Sequence, residues 1–252
     1  MNTNSNELKL APLRSEIRDS VRSFVEKLIE KLGENLKSIT IVGSSLTEDF
    51  AAGKSDINSV LVLAKQDLNT LKAICDIAGA IRKKKLDVPL LMTPAYIERS
   101  RDVFGIEFLD FQLIHQTILG DDPFAGLSFT KKDVQLQCER ELKAMLIRLR
   151  QGYIAARGRK KFIRDILIST VSGLVPLLRA MLWLKDSDRP SQAQAVFTKA
   201  TDVFSVKTDC LIITRGWRHE KVRLSDDEIQ RNFDTIYATI DRLAVIVDEL
   251  EE

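Results

Sequence analysis

Ile39 to Leu63 reads ITIVGSSLTEDFAAGKSDINSVLVL, an apolar β-rich run that ends in Gly-Ser-Ser and, after a polar spacer, a second run that opens with Asp-Ile-Asn. Gly43 has no side chain, and Ser44 and Ser45 have short ones that can also donate, so backbone N–H groups at this turn can approach a phosphate chain closely. On the second strand the side-chain period of two puts Asp56 and position 58 on one face, where two carboxylates would hold divalent cations against the phosphates. Position 58 is Asn58. It keeps a carbonyl oxygen but not the charge, and Mg²⁺ favours carboxylates and phosphates over neutral amides. The stretch therefore reads as a phosphate and metal site with one ligand weakened.

The Gly-Ser turn, its spacer and the Asp-x-Asn after it resemble the nucleotidyltransferase fold of the DNA polymerase β superfamily, whose signature ends in Asp-x-Asp or Asp-x-Glu. The match covers Gly43, Ser44 and Asp56 and departs at Asn58. Residues 38–124 are also similar to minimal nucleotidyltransferase-domain proteins, in which a helical domain follows the catalytic one. The resemblance implies Mg²⁺- or Mn²⁺-dependent transfer of a nucleoside monophosphate from a nucleoside triphosphate to an acceptor hydroxyl. Gly43, Ser44 and Ser45 would hold the nucleotide. Asp56, Asn58 and a carboxylate on a later strand would hold metal.

The run FGIEFLDFQLIHQTILGDDPF offers Glu107 and Asp110 for that third position. On an extended strand the two point to opposite faces, so one can serve. Ile106-Glu107-Phe108 ahead of Gly120-Asp121-Asp122 fits the family layout and favours Glu107, which with Asp56 would be catalytic. With Asn58 in place, the resemblance implies a detuned enzyme. The alternative is a catalytically reduced relative that binds a nucleotide or a protein partner.

Composition frames these motifs. The chain has 252 residues and a net charge of +2, enough for two modest domains and without a global field that advertises nucleic acid. Cys75, Cys138 and Cys210 are far apart and lack metal-like spacing, which reads as three small buried thiols in a reducing compartment. MNTNSNELKLAPL has no apolar core region, so neither a secretion signal nor an anchor is expected and the expected location is cytoplasmic. Phe162–Leu184 is interrupted by Arg164, Asp165, Gly173, Pro176 and Arg179, and reads as the buried central helix of a bundle, kinked at Pro176, rather than a membrane span. His115 reads as a packing or edge residue. Arg215 and His219 are too closely spaced for the helical ribonucleases that often accompany such domains. Arg148, Arg150, Arg157, Arg159, Lys160, Lys161 and Arg164 gather around one interhelical turn and read either as a phosphate-contacting patch or as a solvated surface.

Periodicity predicts a helix over Ser15–Leu32, another over Asp67–Lys85 with Leu71, Ile74, Ile77, Ala78 and Ile81 on one face and RKKK at its end, and a strand over Leu86–Met92. A short helix from Thr93 or Pro94 and a strand over Gly105–Ile114 bearing Glu107 follow. From Lys131 onward only helical periodicity remains. The expected architecture is an α+β domain with a mixed sheet over 1–125 and an all-α bundle over 126–252, whose long last helix is available for a homo-oligomer interface.

Overall fold

The first apolar run forms β1, Leu36–Val42, and the second forms β2, Asn58–Leu63. In the computed structural model, which describes residues 8–83, 85–218 and 224–250, the two strands pair antiparallel with Val42 opposite Asn58 and Ser38 opposite Val62. The Lys84 part of RKKK, the side chains of Ala78, Ile81, Arg82 and Lys83, and His219 lie outside the described residues. β3, Leu90–Met92, runs parallel to β2, and β4, His115–Leu119, antiparallel to β1. The sheet is therefore mixed, in the order β3-β2-β1-β4.

Strand alternation gives the sheet two unlike faces. Ile39, Ile41, Leu61, Leu63 and Ile118 are buried in one core with the stripe Ile17, Val21, Phe24, Val25 and Leu28 of α1, Ser15–Leu32, and with Ile74 and Ile77 of α2, Leu68–Lys83. Leu71 stays exposed. Full burial of each such aliphatic side chain contributes about 1.5–3 kcal/mol, so apolar contact is the main force holding these helices on the sheet. α1 stops at Gly33, whose φ of 48° suits a residue without a side chain. The other face carries Thr40 and Thr117, buried and joined Oγ1 to Oγ1 at 3.0 Å.

Two strands differ from the sequence reading. Leu86 makes only an isolated bridge to Ile57 before β3, because Pro89 lies between them and offers no N–H to a ladder. Gly105–Ile114 is not a strand: Gly105–Leu113 is a helix, and the strand starts at His115. With α3, Pro94–Arg99, capped by Thr93 Oγ1 accepting from Tyr96 N–H, this helix is α4. Its dense apolar content fits either period. Ile106, Leu109 and Leu113 satisfy helical spacing, Glu107 sits in the first turn where an acid is favoured, and Gln137 Oε1 accepts the otherwise orphaned Ile106 N–H at 3.0 Å.

The chain divides into two compact units, Met1–Arg101 with Phe111–Ser128, and Asp102–Asp110 with Phe129–Glu252. The first holds the sheet. The second is built from α5, Lys131–Ala156, α6, Lys160–Leu184, α7, Ala193–Phe204, α8, Asp209–Gly216, and α9, Asp226–Asp248. By length and mean hydropathy (1.7) α6 is long and apolar enough to cross a membrane, which the sequence reading had it fall short of. Leu167, Val171, Leu174, Leu178 and Met181 are buried, and α5, α7, α8 and α9 all lie against it. Ile229, Ile236, Ile240, Leu243 and Val247 of α9 are buried in the same core, so the apolar stripe of that last helix is used within its own unit. α9 starts with a capping box of Ser225 and Glu228.

Candidate functional site

The turn after β1 is fixed from three sides. Gly43 has a φ of 77°, strained for any residue with a Cβ, and a Cβ placed there would lie 3.7 Å from Asn58 Nδ2. Its N–H donates to Ile114 O at 3.2 Å, and Thr47 donates to Ser44 O through both N–H and Oγ1 at 3.1 and 3.2 Å. Arg14 Nη2 in turn donates to Thr47 O at 2.6 Å, which ties the turn to the start of α1. Gly43–Leu46 forms a single 3-10 turn. The early N–H groups of such a turn have no intrahelical acceptor. Gly43's is taken by Ile114, which leaves that of Ser44.

The two serines differ. Ser44 is half-buried and its hydroxyl can face a ligand. Ser45 is 1% exposed, and its Oγ is buried without a partner. A buried unpaired hydroxyl costs about 1–3 kcal/mol. Ser45→Ala is therefore expected to leave thermal stability unchanged or raise it by up to about 1 kcal/mol. A drop in melting temperature would show that the hydroxyl is paired.

Asp56 and Asn58 are exposed on either side of buried Ile57, so both side chains leave the same face, with Cα atoms about 7 Å apart. Asp56 makes no hydrogen bond or ion pair among the described residues, and Asn58, opposite Val42, stands beside Gly43. One exposed carboxylate and one amide side chain thus leave the same face at the end of the sheet that carries the Ser44 turn. That donor set fits a single Mg²⁺ shared with phosphate oxygens, since Mg²⁺ takes one or two carboxylates and completes its shell from phosphates and water. It does not fit a pair of ions. Neither β3 (LLM) nor β4 (HQTIL) carries a carboxylate, and no group of three His, Cys, Asp or Glu among the described residues is placed to hold a metal.

Both candidates for the third carboxylate are in the second unit. Glu107 lies on α4, not on a strand, and its Oε2 accepts from Gln137 Nε2 at 2.8 Å. Asp110 is largely buried, its Oδ1 2.6 Å from Arg179 Nη1, so it serves an internal ion pair. Burial, and then the charge of Glu107, pushes the Cys138 thiol far up. Cys138 and Cys210 are buried and free as expected, but Cys75 is exposed.

His115 opens β4, with Nε2 2.9 Å from Asp122 Oδ2. Burial pushes the Asp122 carboxyl up, but hydrogen bonds from Phe124 N–H, His115 and Ala125 N–H outweigh it and hold the group below its ordinary 3.8. A folded value below the unfolded one contributes stability that is present above about pH 4 and is lost as pH falls through the folded value. Asp122→Asn is thus expected to flatten the stability profile below about pH 4, read by thermal unfolding across pH. An unchanged acid limb would contradict this. Much of the basic cluster is engaged: Lys160 pairs with Asp226 at 3.0 Å, Arg159 lies 4.1 Å over the Phe162 ring, and Arg164 donates to Trp217 O.

No protein-family model and no curated protein matches the sequence. Among solved structures, the chain is similar to the spectinomycin adenyltransferase AAD(9) from Enterococcus faecialis, solved with ATP and spectinomycin. The TM-score is 0.59 at 9% identity, covering 88% of this chain and 98% of that one. With a mixed four-stranded sheet in the first unit and a helical second unit, this chain has the polymerase β-like nucleotidyltransferase fold.

Proposed function

We propose that the first unit binds a nucleoside triphosphate at the Gly43–Ser45 turn and that the protein transfers the nucleoside monophosphate to an acceptor hydroxyl. The observation that carries this reading is the Asp56 carboxylate, exposed and without a partner among the described residues, on the same sheet end as the positive-φ Gly43 turn, on a fold shared with an adenyltransferase. Ser44 N–H and Oγ take phosphate oxygens, and the rigid Gly43 backbone lets them come close. Asp56 and Asn58 would hold Mg²⁺ or Mn²⁺ at this end of the sheet. When bound, that ion supplies positive charge where negative charge develops on the transferred phosphoryl group. In the transfer the acceptor oxygen bonds the α-phosphorus as the bond to pyrophosphate breaks. Glu107 is carried from the resemblance alone as the base for the acceptor proton. Glu107→Gln should then lower turnover as steeply as loss of Asp56, with nucleotide affinity kept.

The neighbour's ligands suggest the first assay. ATP, Mg²⁺ and spectinomycin are mixed with the protein, and pyrophosphate release and a nucleotidylated product are followed by mass spectrometry. Product formation supports the reading and names the acceptor.

Asn58 supports a second reading, a catalytically reduced relative that binds a nucleotide or a protein partner. Missing charge at a developing anion commonly lowers rate by roughly 10²–10³. Asn58→Asp separates the two: a merely detuned site should gain about tenfold or more in pyrophosphate release. A repurposed fold should gain nothing.

A further inference from the structure

A pocket of about 320 Å³ opens on the first unit between the start of β1, the end of β2, α3 and the loop after β4. Clefts of roughly 300–1,000 Å³ are the usual size of small-molecule sites. It is separate from the Gly43 turn. Ser38 and Val62, which line it, pair with each other four residues along the ladder from Val42 and Asn58, about 13 Å away.

Its lining combines an apolar floor with unsatisfied polar groups. Val62 and Ile97 are buried and supply the floor. Ser38 is 3% exposed, yet its Oγ has no hydrogen-bond partner. No partner among the described residues accounts for this hydroxyl, and a polar group of a ligand would satisfy it. Glu98, Asp121 and Asp122 place three carboxylates around the pocket against the single ammonium of Lys37. Glu98 is engaged by Arg101 at 2.6 Å and Asp122 by His115 and Phe124 N–H. Asp121 has no partner among the described residues, so its charge is available to a ligand.

We infer that this pocket is a second small-molecule site, for a compact molecule that joins a protonated amine to an apolar body. The body rests on Val62 and Ile97, the ammonium meets Asp121, and a polar group of the ligand reaches Ser38 Oγ. The site is independent of the nucleotide reading, since none of its lining residues belongs to the Gly43 turn or to Asp56 and Asn58.

Amide ¹H–¹⁵N spectra of the full chain, titrated with cyclohexylmethylamine and separately with its neutral isostere cyclohexylmethanol, test this. The amine should shift the amides of Ser38, Ile97 and Asp121 saturably and leave those of Ser44 and Asp56 in place. Asp121→Asn should weaken the amine about fivefold, the scale of one partly exposed charge pair. Ser38→Ala should keep the melting temperature and weaken the amine as well. No saturable shift at these amides, an alcohol that binds as tightly as the amine, or an Asp121→Asn protein that binds like wild type would each overturn the inference.

Discussion

Replacing Arg179 with methionine is expected to destabilise the protein by up to about 3 kcal/mol, because it removes the hydrogen-bonded partner of the largely buried Asp110 carboxylate and leaves it only the charge of nearby Arg189. Arg179 is 6% exposed and saturates its surroundings: Nη1 donates to Asp110 Oδ1 at 2.6 Å, Nε to Pro190 O at 2.9 Å and Nη2 to Ser191 O at 2.5 Å. One side chain thus secures α4, through Asp110, and the segment between α6 and α7, through two carbonyls. The loss should appear as a lower urea midpoint at unchanged slope. Asp110→Asn should cost less, about 1–2 kcal/mol, since the amide oxygen still accepts from Arg179. Pairing Arg179→Met with Asp110→Leu should recover much of the loss, as an apolar replacement of both partners removes the orphaned charge. A stable Arg179→Met protein, or an Asp110→Asn protein that loses turnover while keeping full stability, would mean that Asp110 serves the reaction instead.

Asp56→Ala should show the opposite separation. Asp56 is exposed and without a partner among the described residues, so its loss should change stability by no more than about 0.5 kcal/mol. Function should fall steeply. In the proposed reaction Asp56 supplies negative charge to the ion, and its removal should lower Mg²⁺-dependent transfer by at least about 10². Turnover measured beside thermal unfolding reads both quantities. Equal turnover in wild type and Asp56→Ala would remove the site from Asp56.

Where the sequence carried one dominant signal, it was legible. The α1 stripe from Ile17 to Leu32, β1, the turn at Gly43 and the start of β2 all follow from apolar periodicity and one glycine, and they position the candidate site. Thr93 and Pro94 marked the start of α3 for equally local reasons. Ambiguity entered where apolar residues were too dense for period to discriminate. In GIEFLDFQL Leu109, Phe111 and Leu113 alternate as on a strand while Ile106, Leu109 and Leu113 recur at helical spacing, and the choice fell to contacts far away in sequence, such as Gln137 Oε1 on Ile106 N–H. That choice moved Glu107 from a strand to a helix. The inward turn of Ser45 and the orphan hydroxyl of Ser38 left no trace in the sequence, since burial of a serine is decided by which side of a turn or strand meets the core.

The central claim, a nucleotide site at the Gly43 turn, is tested most directly by calorimetric titration of the wild-type chain with ATP in Mg²⁺ and again in EDTA, followed by GTP, CTP and UTP under the same conditions. The account predicts saturable binding of at least one nucleotide in Mg²⁺ that is lost or strongly weakened in EDTA. No heat of binding with any of the four, or binding indifferent to the metal, would contradict it.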